Sequence, residues 1–149
     1  MIAQGSPLNA LTVVINYGLS VEDAVKAGKY DWSNSDISTK HFPSKRKGTA
    51  EVEIILLHFN RDMYSGDMFR ELDKQGGLRP AELHEGLVVG AKYPDIQRKF
   101  PVVVLGSVWR DPYGYRYCAF LYGNGSGRFL GLSPLGWWDD FCRFAAVCK

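Results

Sequence analysis

The 149-residue chain has no apolar run that approaches the roughly 18 residues of a membrane-spanning helix, so we expect no membrane insertion. Its first residues lack a basic stretch before an apolar one, and we therefore predict no signal peptide. Neither absence decides where the protein works. The cytoplasm and a mounting on a cell or virion surface both stay open.

Cysteine is scarce in this sequence. Cys118, Cys142 and Cys148 are the three in the chain, and an odd number late in a sequence does not make a disulfide framework. We expect buried free thiols, although one pair could form a bridge. Cys142 and Cys148 suit a bridge poorly, because about 20 Å separates their backbones along an extended strand.

An excess of charge of either sign is also missing. The formal net charge is +2, and residues 1–99 carry equal numbers of basic and acidic side chains. This balance argues against binding along a nucleic-acid backbone. The length and a hydrophobic content of 46% fit one globular domain over residues 1–149.

Motifs for catalysis or metal binding are absent as well. His84 and Glu85 do not begin the zinc motif H-E-x-x-H, because position 88 is valine. The W-D-D that begins at Trp138 only partly matches the Trp-Asn-Asp of calcium-dependent lectins, whose Glu-Pro or Gln-Pro pair is missing. We therefore expect a binding protein with no cofactor and no metal, not an enzyme.

What is present indicates an α+β fold class. Apolar patterning and capping residues predict strands over residues 9–17, 50–59 and 101–107, and helices over 20–27, 65–75 and 80–92. Gly76 and Gly77 end the second helix. Short strands at 117–122, 128–132 and 142–147, joined by exposed loops, complete the chain. Helices therefore precede a β-rich final third.

The final third has an unusual composition. Lys, Glu, Gln and Met supply 20 of the first 99 residues and none of residues 100–148. Strands and glycine turns disfavour some of these residues. However, Tyr113, Tyr115, Tyr117 and Tyr122 fall among glycines and charged residues, and aromatic and small polar side chains are typical of evolved binding surfaces. The composition therefore favours a binding surface in this segment.

Three segments carry a family resemblance: G-G-L-R-P-A-E-L-H-E-G (76–86), V-V-V-L-G-S-V-W (102–109) and W-W-D-D-F-C-R-F-A-A-V-C-K (137–149). In this order and spacing they resemble the variable proteins of diversity-generating retroelements, in their compact archaeal and candidate-phylum form. The resemblance covers roughly residues 50–149. It implies a C-type-lectin-like fold, with two main helices packed on short antiparallel strands and a variable region at about residues 107–149.

In that family a reverse transcriptase copies a template repeat and misreads adenines. The AAY codons altered in this way reach Tyr, Asp, Ser, Gly, Arg, Cys, Phe, Leu and Asn, but not Lys, Glu, Gln, Met or Trp. The first four of these unreachable residues are those missing from residues 100–148. Trp109, Trp137 and Trp138 would then be fixed by the template.

The resemblance also implies which positions are fixed and which vary. The fixed positions form scaffold strands: Leu105, Gly106, Ser107, Trp109, Arg128, Leu130, Leu132, Trp138, Arg143, Phe144, Ala146 and Val147. The variable positions would face solvent and bind a protein ligand: Arg110, Asp111, Tyr113, Tyr115, Tyr117, Tyr122, Asn124, Ser126, Phe129, Gly131, Ser133, Leu135, Asp139, Asp140, Phe141 and Cys142.

Two alternatives use the same fold, and a monomer is expected in each case. The first is a fixed lectin-like or phage receptor-binding module without diversification. The second is an enzyme of the formylglycine-generating type, which uses a pair of cysteines; the separation of Cys142 and Cys148 argues against it. A catalytic cysteine would react rapidly near neutral pH.

Overall fold

The computed structural model describes residues 10–149. Strand β1 (Leu11–Asn16) confirms the strand predicted at 9–17, whose first residue lies outside the described range. The other elements are α1 (Val21–Gly28), β2 (Trp32–Ser33), β3 (Thr49–Leu57), β4 (Met63–Tyr64), α2 (Ser65–Gln75), β5 (Leu78–Pro80), α3 (Leu83–Lys92), α4 (Ile96–Lys99), β6 (Val102–Arg110), β7 (Arg116–Gly123), β8 (Arg128–Pro134), β9 (Trp137–Trp138) and β10 (Arg143–Cys148).

Most strands belong to one mixed sheet. Its order is β1-β3-β10-β6-β7-β8-β2, with β5 beside β10, while β4 and β9 form a separate pair. The predicted α+β class is confirmed. Most neighbours are antiparallel, but β6 runs parallel to β10 and β2 runs parallel to β8, which differs from the predicted antiparallel arrangement.

The sheet buries both of its faces. Residues alternate along each strand, so Val102 and Val104 pack with α1 and α3, whereas Val103 and Leu105 pack with α2. We call the side under α1 and α3 the first face and the side under α2 the second face. Each face has its own apolar core; β3, β10, β6 and β7 contribute to both cores, whereas β8 contributes to the first.

The predicted helix boundaries follow local capping chemistry. The Ser20 hydroxyl accepts a hydrogen bond from the Asp23 amide at 3.0 Å and starts α1. Gly76, with φ of 67°, stops α2, as its position in the sequence predicted. Met68 and Leu72 of α2 are buried on the second face. These local signals are sufficient to predict both helices.

The helix predicted to start at Pro80 is wrong at its beginning. Residues 78–80 form β5, in which Arg79 pairs with Val147 and Pro80 with Ala146 of β10. Strand β6 pairs with β10 only near Arg143, so the backbone of β10 is free to pair with β5 further along. The helix starts at Leu83 instead, where Glu82 and Glu85 form a reciprocal capping box.

Gly106 allows β6 to pass close to the residues that follow β5. Its amide donates to the Ala81 carbonyl at 2.8 Å. A Cβ atom at this position would overlap the backbone carbonyls of Pro80 and Ala81. The hydroxyl of Ser107 then accepts a hydrogen bond from the Leu83 amide at 2.9 Å, which ties β6 to the start of α3. The sequence resemblance marks both Gly106 and Ser107 as fixed, and the structure gives each a physical role.

Candidate functional site

The predicted variable positions lie on and around the antiparallel strands β6, β7 and β8. Alternation places Tyr117 on the first face and Tyr122 on the second, because Ala119 and Leu121 pack in the first core while Phe120 packs against the second. In β8, Phe129 pairs with Tyr122 and Gly131 pairs with Phe120. The predicted positions therefore divide between two surfaces.

The first surface is the turn between β6 and β7, residues 111–115, which we call the tip turn. One oxygen of the Asp111 carboxylate accepts hydrogen bonds from the amides of Tyr113 and Tyr115, each at 2.9 Å. Gly114 lies within the turn and has a φ of 90°, which favours glycine. The two tyrosines are 86% and 64% exposed, so a hydrogen-bonded backbone presents two aromatic rings to solvent.

Next to the tip turn, on the first face, lies a cleft of about 270 Å³, which we call the tip cleft. Its lining is Asn34, Asp36, Trp109, Asp111, Tyr117 and Leu132.

The loop of residues 34–41 forms one side of the tip cleft. His41 stacks on Trp109 with ring centroids 4.0 Å apart and an angle of 14° between the planes. Tyr117 lies across the strand pair from Trp109, with ring centroids 5.5 Å apart. Sequence reasoning missed Asn34, Asp36 and His41, because this loop meets β6 and β8 across about 70 to 100 residues of chain.

The second surface is the exposed part of the second face of β7 and β8. Tyr122 stacks on Phe120 at 4.9 Å and meets Phe129 at 5.4 Å. A Cβ atom at Gly131 would overlap the Phe120 ring, so the aromatic rings cover this glycine. Trp138 closes one side, with its ring 6.1 Å from that of Phe120.

Two loops border this second surface. In the turn between β7 and β8, the Asn124 side-chain oxygen accepts hydrogen bonds from the Ser126 amide and hydroxyl at 2.8 and 2.7 Å. In the loop before β10, an Asp139 carboxylate oxygen accepts from the Phe141 amide at 3.0 Å. Phe141 is 56% exposed and lines a cleft of about 260 Å³ together with Tyr122. Both loops are thus held by their own side chains.

A buried polar group supports the strands from the first face. Arg128 is 6% exposed and donates to the Gly28 carbonyl at 2.8 Å, to the Gly90 carbonyl, and to the Gln97 side-chain oxygen at 3.2 Å. Its guanidinium lies 4.7 Å from the centre of the Tyr30 ring. The two carbonyls belong to the last turns of α1 and α3, where the helix dipoles favour a cation. Arg128 therefore joins both helices to β8.

The expectation that all predicted variable positions face solvent is wrong for Gly131 and Cys142, which are buried. The half-buried positions are Asp111, Tyr117, Tyr122, Phe129, Ser133 and Leu135. The exposed ones are Arg110, Tyr113, Tyr115, Asn124, Ser126, Asp139, Asp140 and Phe141. Of the predicted scaffold positions, most are buried: Leu105, Arg128, Leu130, Trp138, Phe144, Ala146 and Val147.

All three cysteines are free; Cys118 and Cys142 are buried as expected, whereas Cys148 is half-buried. Burial raises the pKa of Cys118 to about 12. Burial and the neighbouring Asp139 carboxylate raise the pKa of Cys142 to about 12. Burial also raises the pKa of Cys148. These thiols therefore stay protonated near neutral pH.

A second buried polar group lies away from both surfaces, where α3 begins. Glu85 is fully buried and accepts hydrogen bonds from Arg79 at 2.6 Å and from the Tyr17 hydroxyl at 2.5 Å. Burial alone would raise the pKa of Glu85, but the hydrogen bonds from Arg79 and Tyr17 lower it. Burial, and then the hydrogen bond to Glu85, raise the pKa of Tyr17 to about 12. These hydrogen bonds connect Glu85 of α3 to Arg79 of β5 and to Tyr17, which follows β1.

Within residues 10–149, no three His, Cys, Asp or Glu side chains come together in a way that could hold a metal ion. None of the helices in the same range has the length and apolar character needed to cross a membrane. Comparisons of the chain with protein-family models, curated proteins and solved structures found no match.

Proposed function

We propose that this chain is a variable protein of a diversity-generating retroelement, with a C-type-lectin-like fold, that binds a protein ligand through exposed residues between positions 107 and 149. The observation that carries the proposal is the residue composition of the exposed surface. Eleven of the 39 exposed residues between positions 10 and 99 are Lys or Glu. Of the 15 exposed residues between positions 100 and 148, none is.

This comparison argues against the simpler explanation, in which Lys and Glu are missing because the segment is rich in β-strands. Buried strands rarely carry Lys or Glu, whereas exposed strand ends and turns normally accept them. At the proportion found in residues 10–99, about four of the 15 exposed positions would be Lys or Glu. Misreading of adenines in AAY codons accounts for the difference, because it reaches neither residue.

The arrangement of the strands also supports the proposal. Fixed positions named by the resemblance, such as Leu130 and Phe144, lie in the two cores, while most predicted variable positions lie at the surface. A surface side chain with few contacts can change without loss of packing. The order of helices α2 and α3, then β6 to β8, then a closing strand agrees with the C-type-lectin-like assignment, although the two parallel pairings depart from it.

The enzyme alternative has less support. A cysteine nucleophile needs a thiolate near neutral pH, and burial raises the pKa of all three thiols. Cys142 donates a weak hydrogen bond to Asp139 at 3.4 Å, and the negative charge of Asp139 further disfavours a thiolate. Both points favour binding over thiol chemistry.

Sequencing the DNA beside the gene tests the proposal. We expect a near-copy of the stretch that encodes residues 107–149, next to a reverse-transcriptase gene, with mismatches where the copy carries adenine. The mismatched codons should be those of exposed residues such as Tyr113, Tyr115 and Phe141. The codons of Leu130 and Phe144 serve as internal controls and should match. The absence of a repeat, or mismatches concentrated at the two control codons, would contradict diversification.

A further inference from the structure

The tip cleft combines acidic and aromatic side chains. Asp36 and Asp111 both line it, and the rings of Trp109 and Tyr117 lie 5.5 Å apart in the same lining. No Lys or Arg among residues 10–149 lies within salt-bridge distance of either carboxylate. The His41 ring lies 3.7 Å from the Asp36 carboxylate.

The arginines of the same strands point the other way. Arg110 and Arg116 form a cross-strand pair directly beside the Trp109 and Tyr117 pair. Because side chains alternate along a strand, the two arginines project from the second face while the two aromatic rings project from the first. The tip cleft therefore keeps an acidic character that its own strands do not neutralise.

One oxygen of Asp111 is already used, because it accepts from the amides of Tyr113 and Tyr115. The Asp111 carboxylate also interacts with the Tyr117 hydroxyl, since burial, and then the charge of Asp111 and a hydrogen bond to it, raise the pKa of Tyr117. The side-chain oxygens of Asp36 accept no hydrogen bond from residues 10–149, and their nearest basic neighbour in that range is His41 at 3.7 Å. A planar cation suits such a lining, since a guanidinium donates to carboxylates through its edge and stacks on aromatic rings through its face.

We propose that the tip cleft binds an arginine side chain of the protein ligand. This deepens the proposed function, on which it rests for the nature of the ligand. It assigns a role to Asp36, which lies outside the variable region. In this assignment Asp36 supplies a constant negative charge, and Asp111 and Tyr117 supply the variable part of the same subsite.

The test uses two small probes on the full chain labelled with ¹⁵N. The first is Nα-acetyl-arginine methylamide; the second is the citrulline equivalent, which has nearly the same shape and no charge. We expect the arginine probe to shift the indole signal of Trp109 and the amide signals of Asp36 and Asp111 saturably, with a dissociation constant in the millimolar range. The citrulline probe should bind at least about fivefold more weakly, since the charge contact is lost.

Charge-removing variants locate the subsite. Asp36→Asn and Asp111→Asn should each raise the dissociation constant about fivefold, and 0.5 M salt should weaken binding by screening. An asparagine at position 111 still accepts from the two tip-turn amides, so the turn is kept. Asp73→Asn changes the same charge at an exposed site on α2 and serves as the matched control, with no expected effect.

Three results would overturn the assignment: equal binding of both probes, shifts scattered over the surface without saturation, or an Asp73→Asn effect as large as that of Asp36→Asn. The outcome is separable from that of the proposed function. Failure of the probe beside a gene that does carry the adenine-mismatched repeat removes only the arginine subsite. Binding of the probe in the absence of a repeat leaves a fixed binding cleft without diversification.

Discussion

Arg128 provides the most direct test of how the scaffold holds the binding strands. Its guanidinium donates to three acceptors that belong to α1, α3 and α4, and it stacks on Tyr30. No carboxylate among residues 10–149 forms a salt bridge with it. The helix dipoles and carbonyl oxygens therefore stabilise this buried charge. Replacing Arg128 with Lys keeps the charge and removes the planar donor geometry.

The expected loss follows from these contacts. An ammonium group can reach one of the three acceptors well, so two hydrogen bonds to a charged group are lost, at about 1.5–3 kcal/mol each. Partial replacement by other contacts lowers the sum, and we expect Arg128→Lys to lower the free energy of unfolding by about 4 kcal/mol. Such a loss is a large part of the stability of a domain of this size.

The assay is urea unfolding followed by tryptophan fluorescence and circular dichroism. Arg98→Lys is the matched control, because Arg98 is exposed and makes one hydrogen bond, to the Asn124 carbonyl at 2.8 Å. Arg98→Lys should lower the free energy of unfolding by less than about 1 kcal/mol. A loss for Arg128→Lys below about 1 kcal/mol, or equal to that of the control, would refute the assignment of Arg128 as the joint between helices and strands.

Two further predictions concern titratable groups. Folding raises the pKa of Tyr17 to about 12. The stability that this protonated tyrosine gives to the folded state is therefore complete below pH 10 and is lost as the pH rises through 12. Urea unfolding should show about 2 kcal/mol less stability at pH 12 from this group, and Tyr17→Phe should remove that part of the alkaline loss. The thiols of Cys118 and Cys142 should react with a disulfide reagent at pH 7.5 about a thousandfold more slowly in the folded chain than in urea. Equal rates in the two states would contradict the burial of these thiols.

The elements that sequence reasoning predicted correctly have local causes. Ser20 caps α1 through the amide three residues later, and Gly76 stops α2 by its positive φ. The short strands β7 and β8 lie close to the runs predicted from apolar residues and turns. Each of these signals lies within a few residues of the feature that it determines, so it can be read without knowing the tertiary structure.

The features that were missed depend on contacts between distant parts of the chain. Pro80 looks like the first turn of a helix, yet β10 pairs with it from 66 positions later. Tyr17 and Glu85 form their hydrogen bond across 68 positions. Asp36 reaches the tip cleft because the 34–41 loop folds onto Trp109. Nothing in the neighbouring residues of either partner specifies these contacts.

The division of the candidate site has a consequence for binding. Tyr117 and Tyr122 are five residues apart in β7, or about 17 Å, and they point to opposite faces. A ligand of standard size covers about 800 Å² of its partner, which is enough for the tip turn and tip cleft or for the second face of β7 and β8. A rigid ligand docked flat on the second face does not reach Tyr117, because the sheet lies between them. If residues 107–149 are diversified, changes on one surface therefore leave binding at the other intact.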